Sequence, residues 1–197
     1  MAGPGRVAEV IRGTLTRMPL APAYADEQRD LQPHVQRALE ESVQQSFPAA
    51  NVRTTISVGG TGKPNLDLLG TSFWPDVEIN EGTIRLAAIE VKLIRSQESA
   101  SKAIAEAIGQ SVIYSIRYPH VFTFLVHYGR SDDRHHEEDA GLEQRLSPYN
   151  VELILRRSGN DVAGSQESRL CRTSQRSEPL ARLRSPLPLT AALGVLR

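Results

Sequence analysis

Glu90 and Lys92 stand two residues apart near the end of a largely apolar, strand-like stretch, residues 83–94 (TIRLAAIEVKLI). Side chains alternate between the faces of a β-strand, so Ile84, Leu86, Ala88, Glu90 and Lys92 share one face, and Ile89, Val91 and Leu93 the other. A carboxylate and an ammonium are thus set side by side at one end of a strand suited to a core. Burying either charge alone is expensive, whereas together they pair. Asp76 follows Pro75 at the start of the preceding strand-like segment. The turn signal Asn80-Glu81-Gly82 joins the two segments, which are expected to run antiparallel and adjacent. That brings Asp76 toward Glu90, with the register left open. Two carboxylates on neighbouring strands make an oxygen-rich site suited to Mg²⁺ or Mn²⁺. A lysine beside them can orient a water or stabilise developing charge.

The elements that must position these groups follow from periodicity. Residues 24–47 read as one helix or two joined helices, with Leu31, Val35, Ala38, Leu39, Ser42 and Val43 on one face. Pro33, on the opposite face, either kinks that helix or starts a second one. Residues 51–58 (NVRTTISV) form a β-branched, alternating strand, and 59–65 a Gly-rich loop. Leu66, Leu68 and Leu69 begin or lead into a further strand. Strands follow at 77–79 and 83–94, and then a helix over 97–117 with Ala100, Ile104, Ala107, Ile108 and Val112 as its stripe. Residues 120–128 (HVFTFLVHY) are nearly continuously apolar, as in a strand covered on both faces. A charged loop at 131–139, a short helix at 139–146 and a strand at 151–156 complete the pattern. The order predicts an α/β domain with a mixed sheet flanked by helices on both sides.

Three segments are expected: an N-terminal extension over 1–23, with a short helix around Val7, Val10 and Ile11; the domain over 24–157; and a C-terminal tail over 158–197. The tail is Ser-, Arg- and Gln-rich and flexible to about 178, then apolar and Pro-interrupted.

Composition bounds the function. The 197 residues carry 23 basic and 23 acidic side chains. Bulk basicity therefore cannot recruit nucleic acid, and any such binding needs a local patch. Of the basic residues only Lys63, Lys92 and Lys102 are lysines, which draws attention to each of them, because Lys and Arg differ chemically. No apolar run approaches the roughly 18 residues of a membrane helix, and the N-terminus lacks the pattern of a secretion signal. A soluble, cytoplasmic protein without membrane contact is expected. Cys171 is the only cysteine, which excludes an intramolecular disulfide and a multi-cysteine zinc site.

Pro75-Asp76 followed by Glu90-Val91-Lys92 resembles the PD-(D/E)XK nuclease superfamily, and Gln110-Ser-Val-Ile-Tyr114 is similar to the Gln-x-x-x-Tyr motif of its RecB-type members. The resemblance spans roughly residues 24–156. It implies a restriction-endonuclease-like fold with a helix–three-strand–helix–strand core. It also implies a Mg²⁺-dependent deoxyribonuclease, with endonuclease favoured over exonuclease and Mn²⁺ as a substitute. By resemblance, Asp76 and Glu90 bind the metal, the Val91 carbonyl assists, and Lys92 helps the attacking water. Gln110 and Tyr114 then face the site and contact substrate or orient a catalytic group. Many members add an acid from the first helix. On the helical wheel Glu27 lies about 80° from the centre of the apolar face, Glu41 about 120° and Glu40 about 140°, which favours Glu27. DNA is the implied partner. Cutting both strands would call for a homodimer, and target recognition for a helicase or another protein. The alternative is a non-catalytic nucleic-acid or protein interaction module on the same fold.

Other polar groups read differently. The segment 59–63 lacks the spacing of a phosphate loop, although Lys63 can touch a nucleic-acid backbone. His135, His136, Glu137, Glu138 and Asp139 read as a solvated loop, and His127 as a packed strand histidine.

Overall fold

The structure, a computed structural model, describes residues 2–48, 51–56, 66–128 and 136–157. Lys63, Cys171 and the expected tail over 158–197 lie outside them.

Among the described residues, β1 (Val52–Ile56), β4 (Val77–Glu81), β5 (Ile84–Ile94), β6 (His120–His127) and β7 (Val151–Arg157) form a mixed sheet in that spatial order. β1, β4 and β5 are antiparallel neighbours, while β5, β6 and β7 are parallel. The connections explain this. β4 and β5 are joined by a tight turn in which Gly82 takes a positive φ of 61°, so the chain reverses. β5 and β6 are joined through helix α3 (Gln97–Tyr114), and β6 and β7 through α4 (His136–Leu146). A helical crossover returns the chain to the same end of the sheet and makes the pair parallel.

Helices cover both faces. Helix α1 (Pro4–Arg17) and α2 (Gln32–Ser46) pack on one side, burying Val7, Ile11, Leu15, Val35, Leu39 and Val43 against Val77, Ile79, Ile89, Val91, Phe122 and Phe124. On the other side Ala107 and Tyr114 of α3 and Leu146 of α4 pack with Ala88, Val121, Leu125 and Val151.

Several expectations change. Residues 4–17, expected as part of an extension, form a full helix that shares the core, because Val7, Ala8, Ile11 and Leu15 recur at helical spacing and are buried. The segment 24–47 is two elements: a π-helical turn over Glu27–Leu31, then α2 with Pro33 in its first turn, where a missing N–H costs nothing. Strand β2 (Leu66–Leu68) pairs with β3 (Thr71–Phe73) as a separate hairpin that the sequence pattern did not resolve. The charged residues 136–139, expected in a loop, begin α4.

One correction concerns the site strand. Ile79 pairs with Ala87 and Asn80 with Arg85, which leaves Leu86 as an extra residue on β5. This bulge shifts the alternation. Leu86 and Ala87 both join the α1–α2 cluster, so Leu86 does not share the face of Ala88 and Glu90.

Candidate functional site

β4 and β5 set the first pair of groups. Val77 pairs with Ile89, so one step further out Asp76 stands opposite Glu90. Asp76 Oδ2 accepts the Val91 main-chain N–H at 2.8 Å, which locks the carboxylate onto β5. Glu90, 3% exposed, is on the face covered by α3. Tyr114 of α3 donates its hydroxyl to the Trp74 carbonyl at 2.6 Å. That bond ties α3 to the segment just before Asp76, and brings the Tyr114 oxygen within the field of both carboxylates.

The third acid comes from the π turn. Glu27 Oε1 is 3.2 Å from Lys92 Nζ, and Oε2 accepts the Leu93 N–H at 2.8 Å. Asp26 caps the turn by accepting the Arg29 N–H at 2.8 Å. Asp30 accepts the N–H groups of Ala25 and Asp26 at 3.0 and 2.8 Å, and the Arg95 guanidinium donates to the Ala25 carbonyl. Such π turns are uncommon and recur at functional sites. Here the turn is fastened at both ends and delivers one carboxylate to the end of β5. An open cleft lined by Asp26, Glu27, Gln28, Leu93 and Arg95 lies there.

The electrostatics follow from crowding. Burial pushes Asp76 up to about 7; the Val91 N–H opposes this and the Glu27 charge adds to it. Burial likewise pushes Glu90 up to about 9, with the Asp76 charge reinforcing and Lys92 opposing. Burial works against the Lys92 charge, but Glu27 and Glu90 outweigh it and its pKa rises. Burial and the charges of Glu90 and Asp76 drive Tyr114 upward, so its hydroxyl stays protonated. The cluster therefore sets three carboxyl groups against one ammonium, and the crowding favours the protonated forms of Asp76 and Glu90.

Asp76, Glu90, Lys92, Glu27 and Tyr114 are thus brought together, with Val91 supplying the N–H that holds Asp76. Gln110 sits one helical turn before Tyr114, on the same flank. Its Oε1 is buried without a hydrogen-bond partner among the described residues. Glu40 and Glu41 are exposed on α2, and Glu40 accepts from Gln44 at 3.4 Å. Gln32 was not singled out from sequence. It is 4% exposed and stabilises the charged form of Asp76. Its signal was a polar residue beside the apolar stripe, directly after Leu31.

Among the described residues no group of three or more His, Cys, Asp or Glu side chains is arranged to hold a metal ion. The donors at hand are two carboxylates, Asp76 and Glu90, with main-chain carbonyls nearby. Glu27 is committed to Lys92 and Leu93. Two hard oxygen donors, whose ionised forms a bound cation would favour, fit Mg²⁺ or Mn²⁺ and not a thiophilic ion. No described helix is long and apolar enough to cross a membrane. No family model matches the chain, and no curated protein or solved structure matches it.

Proposed function

We propose that this chain is a metal-dependent nuclease of the PD-(D/E)XK type that hydrolyses DNA phosphodiester bonds. The observation that carries the reading is the meeting of Asp76, Glu90, Lys92 and Glu27 at one end of β5, with Asp76 set opposite Glu90. The helix–strand order and the antiparallel-then-parallel sheet support the same reading.

Asp76 and Glu90 would hold Mg²⁺, with Mn²⁺ as a substitute. When bound, the ion lowers the pKa of a water and neutralises charge on the phosphate. The protein groups have separable tasks. Val91 N–H fixes the direction of Asp76. Glu27 neutralises Lys92 and fixes its ammonium beside the carboxylates, where it can orient the attacking water or stabilise charge developing on phosphorus-bound oxygen. Tyr114 fixes the Trp74 carbonyl and hence the approach to Asp76. Gln110, with an unsatisfied buried oxygen, is free to accept from a substrate or water. Two strands cut together would require a homodimer, and selection of a target would require a further protein such as a helicase.

The test compares wild type with Lys92→Ala and Asp76→Ala on linear and circular DNA in Mg²⁺, Mn²⁺ or EDTA. Cleavage by wild type alone, abolished by EDTA, is expected, and loss of the circular substrate marks endonuclease action. Equal cleavage by all three proteins would reject the site. Metal-independent binding without turnover would make the chain an interaction module.

A further inference from the structure

Leu69 is 98% exposed and takes a positive φ of 51°, followed by Gly70 at 76°. The two residues form the connection of the β2–β3 hairpin, whose register pairs Leu66 with Phe73, Asp67 with Ser72 and Leu68 with Thr71. Such two-residue turns need positive φ at both positions, and Asn or Gly normally supplies the first. A leucine there crowds its Cβ against the backbone and exposes its whole apolar side chain to water. Leu68 beside it is also exposed, at 38%.

The stem of the hairpin, by contrast, is fixed. Leu66 is 5% exposed, Phe73 packs against the α3-side cluster, and the Ser72 hydroxyl donates to Asp67 at 2.6 Å. The next residue, Trp74, is the one whose carbonyl receives the Tyr114 hydroxyl. A strained apolar tip is therefore mounted on a held stem seven residues before Asp76. Seven residues of extended chain reach at most about 24 Å, or about seven base steps of a duplex.

We propose that Leu69 is a wedge that inserts between stacked bases of a DNA duplex seated on the Asp76–Glu90–Lys92 site. The proposal rests on the nuclease reading above. The hairpin, residues 66–73, contains no Lys or Arg, and its one acid, Asp67, is held by Ser72 in the stem, so it is not built to grip phosphates; what its tip presents is apolar. A single leucine falls far short of the roughly 800 Å² that each side of a stable protein interface buries. It suffices as an insert within a larger contact whose affinity comes from elsewhere. An isolated apolar side chain that enters a base step unstacks it and kinks the duplex, which near the site would open the backbone toward the carboxylates.

The test uses the full chain and duplexes carrying the fluorescent base 2-aminopurine at successive steps, with EDTA to prevent cutting. Wild type should brighten the probe at one or more steps. Leu69→Asn suits the turn while removing the apolar side chain. It should keep or raise the melting temperature, lose the brightening, and cut duplex in Mg²⁺ about tenfold more slowly or worse. Leu69→Met should behave as wild type. If wild type cuts DNA and Leu69→Asn matches it in brightening and rate, the wedge is rejected and the nuclease reading stands. If Leu69→Asn instead changes only the solution mass or release from anionic vesicles, the tip is a self-contact or a lipid contact, and the wedge is again rejected. If wild type neither binds nor cuts DNA, the nuclease reading fails and takes the wedge with it.

Discussion

Asp76 and Val91 are joined by a carboxylate–amide hydrogen bond of 2.8 Å. The bond fastens a residue just outside β4 to the main chain of β5, one position past Glu90. It therefore holds two carboxylates against one another although burial and charge both oppose the arrangement. Asp76→Asn keeps an acceptor oxygen for Val91 and removes the charge. Its stability at neutral pH should equal or exceed wild type. Asp76→Ala leaves the Val91 N–H without that partner and should cost about 1–3 kcal/mol. Urea melts of the two variants check the ordering. Equal losses would mean the bond contributes nothing.

The same crowding sets a pH dependence. Burial pushes Asp76 up to about 7 and Glu90 up to about 9 in the folded chain, against about 4 when unfolded. Between those values the folded chain binds more protons than the unfolded one, so stability falls as pH rises. The contribution is complete below the unfolded pKa values and is lost through the folded ones. In EDTA the urea midpoint should therefore fall from about pH 5 to about pH 9. Added Mg²⁺ should raise the midpoint and flatten the slope at the alkaline end. A midpoint that climbs over this range in EDTA would contradict the electrostatic account.

Glu27 and Lys92 are an ion pair of 3.2 Å, and in the proposed reaction they act together. Lys92→Ala should slow cleavage by about 10²–10⁴-fold, the range for loss of a proton-handling or charge-stabilising group. Glu27→Ala should slow it less, because it removes the ammonium's anchor and not the ammonium. The double variant should be no slower than Lys92→Ala, since contacting residues are not additive. Single-turnover rates of the three variants check this. Multiplicative losses would separate the two roles.

These residues also show what was legible in the sequence. The alternation in residues 83–94 and the turn at 80–82 place Glu90, Lys92 and Asp76 on neighbouring strands. The register was not legible, because one bulged residue decides it and Leu86 is apolar in either position. Glu27 was selected on a wheel of 100° per residue, whereas the turn that carries it is π-helical with a wider period. What brings Glu27 to Lys92 is capping by Asp26 and Asp30, which periodicity does not encode. The β2–β3 hairpin escaped because its turn is Leu-Gly and its strands have three residues each. Helix α1 was underrated because Val7, Ile11 and Leu15 make a narrow stripe in a segment ended by prolines.

A control for the site lies two strands from β5, where Arg156 of β7 meets the end of α1. Arg156 Nη1 donates to the carbonyls of Leu15, Thr16 and Met18 at 3.0, 2.5 and 3.2 Å, closing the C-terminal end of α1. Arg156→Ala should lower stability by about 1–3 kcal/mol and leave the cleavage rate of the folded fraction unchanged. A rate loss beyond the unfolded fraction would tie α1 to catalysis.

The most direct test of the central claim is the cleavage of circular DNA by wild type and by Asp76→Asn, matched for folded fraction, in Mg²⁺ and in EDTA. Rapid linearisation by wild type in Mg²⁺ alone is expected, with a loss of at least about a hundredfold in Asp76→Asn. Equal rates for the two folded proteins, or cleavage that persists in EDTA, would contradict the claim.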